Sequence, residues 1–168
     1  VMFFWKKRTE DLKIENPEAD VLYAPISGKV IPLEQVDDMV FSQKMMGDGI
    51  AIEPEEGRLY APVSGTVSVV FPTGHVVGIE GTGGANVIMH VGIDTVELKG
   101  QGFDVKVKQG DTVTAGTLLM EIDLAAIRTR YAATTMVVIE NSREFQLTPT
   151  QSRKVTAGEQ LLRVERTD

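Results

Sequence analysis

The chain contains no cysteine and only two histidines in 168 residues. The first absence excludes disulfides, thiolate zinc sites and cysteine nucleophiles. The second confines any imidazole chemistry to His75 and His90. Positive charge is also short: 17 Lys and Arg stand against 24 Asp and Glu, a formal net charge of −7. That balance lacks the basic face a nucleic acid needs and suits a partner carrying a basic patch. No apolar run approaches the ~20 residues of a membrane span. No secretory signal with a cleavage site is present, so a cytoplasmic protein is expected. What remains is ordinary for a globular domain, 42% apolar and 24% charged. A chain of this length buries roughly 70% of the surface its unfolded form exposes.

The first ten residues place Phe3, Phe4 and Trp5 directly before Lys6, Lys7 and Arg8. An aromatic cluster flanked by cations suits weak peripheral contact with an anionic bilayer, or is simply a tail or linker. Residues 1–18 are therefore read as a tail or linker and 19–168 as one domain. Within the domain, Leu22-Tyr-Ala-Pro-Ile-Ser-Gly-Lys-Val30 returns 37 positions later as Leu59-Tyr-Ala-Pro-Val-Ser-Gly-Thr-Val67, with seven of nine residues identical. So short a repeat is no solenoid and points to a pseudo-symmetric sheet protein. Ser-Gly is read as the turn of each copy.

Strand patterns cover 49–53, 66–71, 76–80, 87–91, 103–107, 117–122, 136–140 and 160–165, punctuated by Gly and Pro. Asp123 is placed to cap a helix over 124–130, and a single helical turn fits 33–38. Residues 107–120 and 155–164 each pair a Gly turn with a small strand, a hammerhead-like pattern. The expected fold is all-β: a compact antiparallel β-sandwich of barrel-sandwich hybrid type, pseudo-repeated, with one or two short helices.

The stretch Gly-Ala-Asn-Val-Ile-Met-His-Val-Gly-Ile-Asp-Thr-Val over 84–96 holds His90 in an apolar, β-branched run that suits a strand buried on both faces. His75 lies 15 residues upstream, beyond a turn rich in glycine at Gly81, Gly83 and Gly84. Antiparallel strands joined by that turn bring the two imidazoles side by side. Thr73, two residues before His75 on an extended segment, points its hydroxyl to the ring's side. One polar neighbour in an apolar surround fixes a histidine tautomer and leaves the other nitrogen as a lone pair, hence a nucleophile.

The residues alone leave alternatives open. His90 could be a satisfied core histidine. A zinc site would have to recruit Asp94, water or another protein, since zinc takes three or four ligands. No Gly-x-Ser-x-Gly elbow, phosphate-binding lysine loop or His-x-His pair of a metal peptidase is present. Lys44 beside Met45 and Met46 superficially suggests a biotinyl- or lipoyl-type carrier, but its segment reads better as part of a docking face.

The 84–96 stretch resembles the signature of the glucose-family IIA phosphocarriers of the bacterial phosphoenolpyruvate-dependent sugar phosphotransferase system. Ala24-Pro25-x-Ser-Gly28, Val40-Phe41-Ser-x-Lys-Met-Met-Gly-Asp-Gly49, Pro72-Thr-Gly-His75 and Glu97-Leu-x-Gly-x-Gly-Phe103 are similar to that family in the same order. The resemblance implies that His90 accepts a phosphoryl group from phospho-HPr and passes it to a sugar-specific IIB domain, with no required cofactor. It implies that His75 stabilises the phosphoryl group for onward transfer and that Thr73 orients His75. Val40, Phe41, Met45, Met46, Phe71 and Val96 would form an apolar docking face, with Asp38 and Asp94 as its acidic rim. An alternative role is regulatory: the unphosphorylated form docks on transporters or metabolic enzymes, with zinc bridging His75, His90 and a partner carboxylate. The chain departs from the family in Asp37-Asp38, where many relatives carry Pro-Asp, and in the smaller Met89 and Val91 beside His90. Its N-terminal leader favours a free-standing protein.

Overall fold

The repeated segments are related by a local twofold that the hydrogen bonds reproduce bond by bond. Tyr23 N–H donates to Pro62 O at 2.9 Å, and Tyr60 N–H returns the bond to Pro25 O at 2.7 Å. Ala24 O accepts from Gly158 N–H, and Ala61 O from Gly116 N–H, both at 2.9 Å. The two Thr-Ala-Gly turns at 114–116 and 156–158 thus close over one copy each. Ser64 Oγ accepts from Ala115 N–H at 3.0 Å, and Ser27 Oγ from Ala157 N–H at 2.9 Å.

The computed structural model describes residues 10–167. Its strands are β1 (Val21–Tyr23), β2 (Gly28–Pro32), β3 (Asp48–Pro54), β4 (Arg58–Tyr60), β5 (Gly65–Val70), β6 (Val76–Gly81) and β7 (Asn86–Val91). They continue with β8 (Phe103–Val105), β9 (Thr112–Val113), β10 (Leu118–Ile122), β11 (Thr135–Ile139), β12 (Phe145–Pro149), β13 (Lys154–Val155) and β14 (Gln160–Arg166). Two short helices, α1 (Met39–Ser42) and α2 (Leu124–Arg128), and short 3₁₀ turns accompany the strands. Eight strands form one sheet in the order β13-β2-β3-β11-β7-β6-β5-β9, and two three-stranded sheets run β1-β14-β12 and β4-β10-β8. Every pairing is antiparallel. The all-β sandwich expected from strand spacing is the architecture found.

Alternation along β7 places the site. Val87, Met89 and Val91 face the main core with Leu59, Ile79, Leu119 and Val137. Ile88 faces the opposite side, in a smaller cluster with Leu33, Phe41, Val76, Met136 and Val138. β7 is therefore buried on both faces over Val87–Met89, as its unbroken apolar sequence requires. His90, next on the Ile88 face, lies beyond the cover and is only partly buried.

Several sequence expectations need correction. Ser-Gly does not make the repeat turn: the bends fall on Pro25-Ile26 and Pro62-Val63-Ser64, and Gly28 and Gly65 open strands. A Cβ at Gly28 would strike the carbonyl oxygen of Glu53, and one at Gly65 that of Glu80, so glycine is demanded by strand approach. The helix after Asp123 ends at Arg128, two residues early; Asp123 Oδ1 accepts from Ala126 N–H at 3.1 Å, as a cap should. The turn at 33–38 is a 3₁₀ turn over Leu33–Gln35, followed by α1, which carries no helical period because it is a single turn. The two-residue strands β9 and β13 are too short for any alternation, and Pro149 obscures β12.

Residues of the stretch read as a tail make contacts with the body. Leu12 N–H donates to Gly116 O at 2.8 Å, Asp11 Oδ1 accepts from Leu118 N–H at 2.8 Å, and Ile14 packs against Val21, Tyr23 and Ala115. The aromatic and basic run that suggested bilayer contact lies outside the described residues. Among those described, no helix is long and apolar enough to cross a membrane.

Because the two copies use equivalent bonds, Ser27→Ala and Ser64→Ala should each destabilise the domain by a similar amount, about 1 kcal/mol, in urea unfolding monitored by fluorescence. A loss confined to one of the two would contradict the pseudo-symmetry of the bonding.

Candidate functional site

The β6–β7 hairpin is closed by the glycine-rich turn and pairs Val76 with His90. His75 sits one residue before β6, after Gly74, whose φ of 76° turns the chain sharply out of Phe71-Pro72. Val91 N–H donates to His75 O at 2.8 Å, which fastens the bend to β7. The imidazoles therefore meet as the hairpin topology anticipates, with ring centroids 4.9 Å apart and planes at 86°.

His90 has its tautomer set by a backbone group. Its Nδ1 lies 2.9 Å from Gly92 O. A carbonyl oxygen only accepts, so Nδ1 carries the proton and Nε2 holds the lone pair. The turn that presents this carbonyl needs glycine: Gly92 has φ 87°, and a Cβ there would strike the Thr95 side chain and approach Ala132 O at 2.9 Å. Thr95, fully buried, donates its hydroxyl to Val91 O at 2.5 Å and clamps the turn. Sequence reasoning expected a polar neighbour for His90 but could not name it, since a carbonyl has no letter in a sequence. The Gly92 and Thr95 positions of the signature were its trace.

His75 is 2% exposed. Its Nδ1 is 3.0 Å from Thr73 Oγ1, the contact anticipated from spacing, although on a bend and not an extended strand. A hydroxyl both donates and accepts, so Thr73 can serve either tautomer of His75. Phe71 and Phe103 pack near the ring, with centroids at 5.7 and 6.3 Å. Burial and the neighbouring His90 push the His75 pKa down to about 4, against a smaller upward pull from Thr73. Burial also lowers His90, opposed by the Gly92 carbonyl and the carboxylates of Asp38 and Asp94. Both rings are neutral at pH 7.

A groove of about 610 Å³ opens beside His90. Asp38, Val40, Phe41, Met46 and Phe71, all singled out from sequence, line it, together with Val69, Val76, Ile88 and Glu140, which were not. Phe41 is the exception to the docking-face reading: it is buried, with its ring 5.0 Å from that of His90, and forms a wall. Asp38 caps α1, accepting from Val40 N–H at 2.9 Å while its carboxylate stays on the rim. The large hydrophobics left exposed among the described residues are Met39, Val40, Met45, Met46, Phe71 and Val96. Five of the six were expected at a docking face; Met39 was missed because it begins an unrecognised helix. Met45 and Val96 stay outside the groove lining, and Asp94, exposed, borders a second cavity with Asp37 and Arg130. Met45 is 69% exposed and so is no core methionine. Two imidazoles are the nitrogens available to a metal, and among the described residues no group of three or more His, Asp or Glu gathers.

The lowered histidine values fix a sign for pH dependence. The unfolded chain, with imidazoles near 6.5, binds protons first as pH falls. The histidine contribution to stability is complete above 6.5 and is lost as pH drops toward about 4. NMR titration should give His75 a midpoint near 4 and His90 one below 6.5, and His75→Gln should flatten the stability decline across that window. A His75 midpoint at or above 6.5 would contradict the burial argument.

Comparison with known proteins gives the same family that the sequence resembles. Residues 20–145 match the family described as phosphoenolpyruvate-dependent sugar phosphotransferase system, EIIA 1. The chain is 42% identical over 146 residues to the glucose-specific EIIA component of Halalkalibacterium halodurans, covering 86% of this chain and 84% of that protein. It is 42% identical over 162 residues to the glucoside-specific EIICBA component of Staphylococcus carnosus; 93% of this chain is matched, but it spans only 23% of that longer relative. Glucose permease IIA from Mycoplasma capricolum superposes with a TM-score of 0.80 at 34% identity, covering 84% of this chain and 93% of that one. The chain belongs to the EIIA family of the phosphoenolpyruvate-dependent sugar phosphotransferase system.

Proposed function

We propose that this chain is a phosphohistidine carrier, with His90 Nε2 as the atom that takes and gives the phosphoryl group. The observation that carries the reading is the bond between His90 Nδ1 and Gly92 O, which leaves Nε2 unprotonated on a ring bordering the groove. In receipt, the Nε2 lone pair forms the new N–P bond as the N–P bond of the donor, phospho-HPr, breaks and its electrons return to the donor imidazole. In onward transfer to a IIB domain the same bond breaks toward the acceptor. Such transfer needs in-line positioning and charge stabilisation more than covalent help.

His75 supplies that stabilisation. When the Thr73 hydroxyl donates to Nδ1, the His75 proton sits on Nε2 and can be given as a hydrogen bond to a phosphoryl oxygen. A His75 held neutral by burial offers a hydrogen bond without a full positive charge, which would fix the phosphoryl group too firmly for release. The exposed apolar side chains make a modest dry centre for transient docking, and Asp38 and Asp94 form a rim that sets register with basic groups of HPr and IIB. Exposed methionines tolerate two differently shaped partners. The same surface supports a second, regulatory reading: phosphate on His90 would place about two negative charges against an apolar face, so a partner of the free form would be released on phosphorylation.

Incubation with radiolabelled phospho-HPr tests the carrier role. One acid-labile phosphate per chain is expected, absent in His90→Ala. His75→Gln should accept phosphate yet pass it to an EIIB domain at least about 100-fold more slowly, the scale of losing a stabilising donor. Full labelling of His90→Ala would overturn the assignment.

A further inference from the structure

Lys44 occupies a backbone conformation that its side chain makes unfavourable. Its φ is 61°, in the left-handed region where glycine is the default and other residues are a few per cent. The bend it makes ends α1: Lys44 N–H donates to Phe41 O at 2.9 Å, Met45 N–H to Val40 O at 3.0 Å, and Gly47 N–H to Lys44 O at 3.2 Å. A glycine would form this bend with less strain, so the side chain must supply the reason for lysine. That side chain reaches two carboxylates at the surface: its Nζ is 3.5 Å from Glu34 Oε2 and 3.6 Å from Asp48 Oδ1.

Both anchors belong to rigid parts. Glu34 follows Leu33, which is 1% exposed in the small cluster beneath α1. Asp48 opens β3, its N–H held by Ser142 Oγ at 3.1 Å and its Oδ1 accepting from Gly49 N–H at 2.8 Å. Between the cation and its second anchor stand Met45 and Met46, 69% and 41% exposed. Water disfavours that exposure: Met46 stands at the wall of the open apolar groove and Met45 outside it, and two flexible thioethers would gain by folding further in.

We propose that Lys44 is a positioning residue for phosphoryl exchange: an electrostatic latch, closed on Glu34 and Asp48, that holds Met45 and Met46 outward in the conformation a protein partner meets. The proposal rests on the carrier reading for its kinetic consequence, though the latch itself does not. Exposed ion pairs contribute little to global stability. A latch on a short loop acts instead by removing the ordering cost from the moment of docking. It lowers KM for the phosphorylated donor and leaves the transfer step at His90 untouched. Charge attraction from both carboxylates raises the Lys44 pKa, so the latch stays closed across the physiological range.

The test compares Lys44→Met, Lys44→Arg and Lys44→Gly in the full chain. Lys44→Met should raise KM for phospho-HPr about three- to tenfold with kcat within about twofold, the scale of two exposed pairs. Its unfolding midpoint should move by no more than about 4 °C. Lys44→Arg should restore the wild-type KM, and Lys44→Gly should behave as Lys44→Met despite its easier backbone. In parallel, methyl relaxation of the Met45 and Met46 side chains should report increased motion in Lys44→Met and Lys44→Gly but not in Lys44→Arg. An unchanged KM in Lys44→Met, a wild-type KM in Lys44→Gly, or a large fall in unfolding midpoint would each overturn the latch. If the wild-type chain takes no phosphate, the carrier reading fails, and the methyl measurement still decides the latch.

Discussion

One hydrogen bond, from His90 Nδ1 to Gly92 O at 2.9 Å, determines what the site can do. It places the lone pair on Nε2 through a neutral backbone group. Much of the surrounding structure serves that bond. Gly92 is required because a Cβ would collide with Thr95, and the buried Thr95 hydroxyl holds the turn that aims the carbonyl. The β6–β7 pairing delivers His75 to the open side of the ring. Burial then keeps both imidazoles neutral, so a nucleophilic nitrogen is present at pH 7 without a dedicated base.

The two faces of the large sheet divide the remaining work. One is sealed by the main core, which binds the pseudo-symmetric halves through bonds between Tyr23 and Pro62 and between Tyr60 and Pro25. The other is covered only in part, by Leu33, Val36 and Phe41. His90 falls at the edge of that partial cover. A ring further along β7 toward Ile88 would be sealed in, and one off the strand would have no fixed orientation. The incomplete cover is what makes a groove, and the exposed Val40, Met46 and Phe71 at its walls are the cost of keeping it open.

Legibility in the sequence followed the range of the interactions. Alternation and glycine spacing located β3, β5, β6, β7, β10, β11 and β14 within a residue or so, because each has several side chains to vote on its period. The same logic placed Thr73 against His75 and brought the two histidines together. It failed where the determinant is backbone or very short. The Gly92 carbonyl, the strand approach that demands Gly28 and Gly65, the single turn of α1 and the two-residue strands β9 and β13 leave no periodic trace. The burial of Phe41 and the exposure of Met45 were equally unreadable, since both are apolar residues in one loop and only the path of the chain separates them. Resemblance to a family carried the roles of residues that no pattern could assign.

The carrier role of His90 depends on its tautomer, and long-range proton–nitrogen correlation on the imidazoles of the unphosphorylated protein at pH 7 reads it directly. The account predicts a protonated-type shift for His90 Nδ1, an unprotonated-type shift for Nε2, and no averaging between them. A proton on Nε2, or a rapidly exchanging mixture of the two forms, would contradict it.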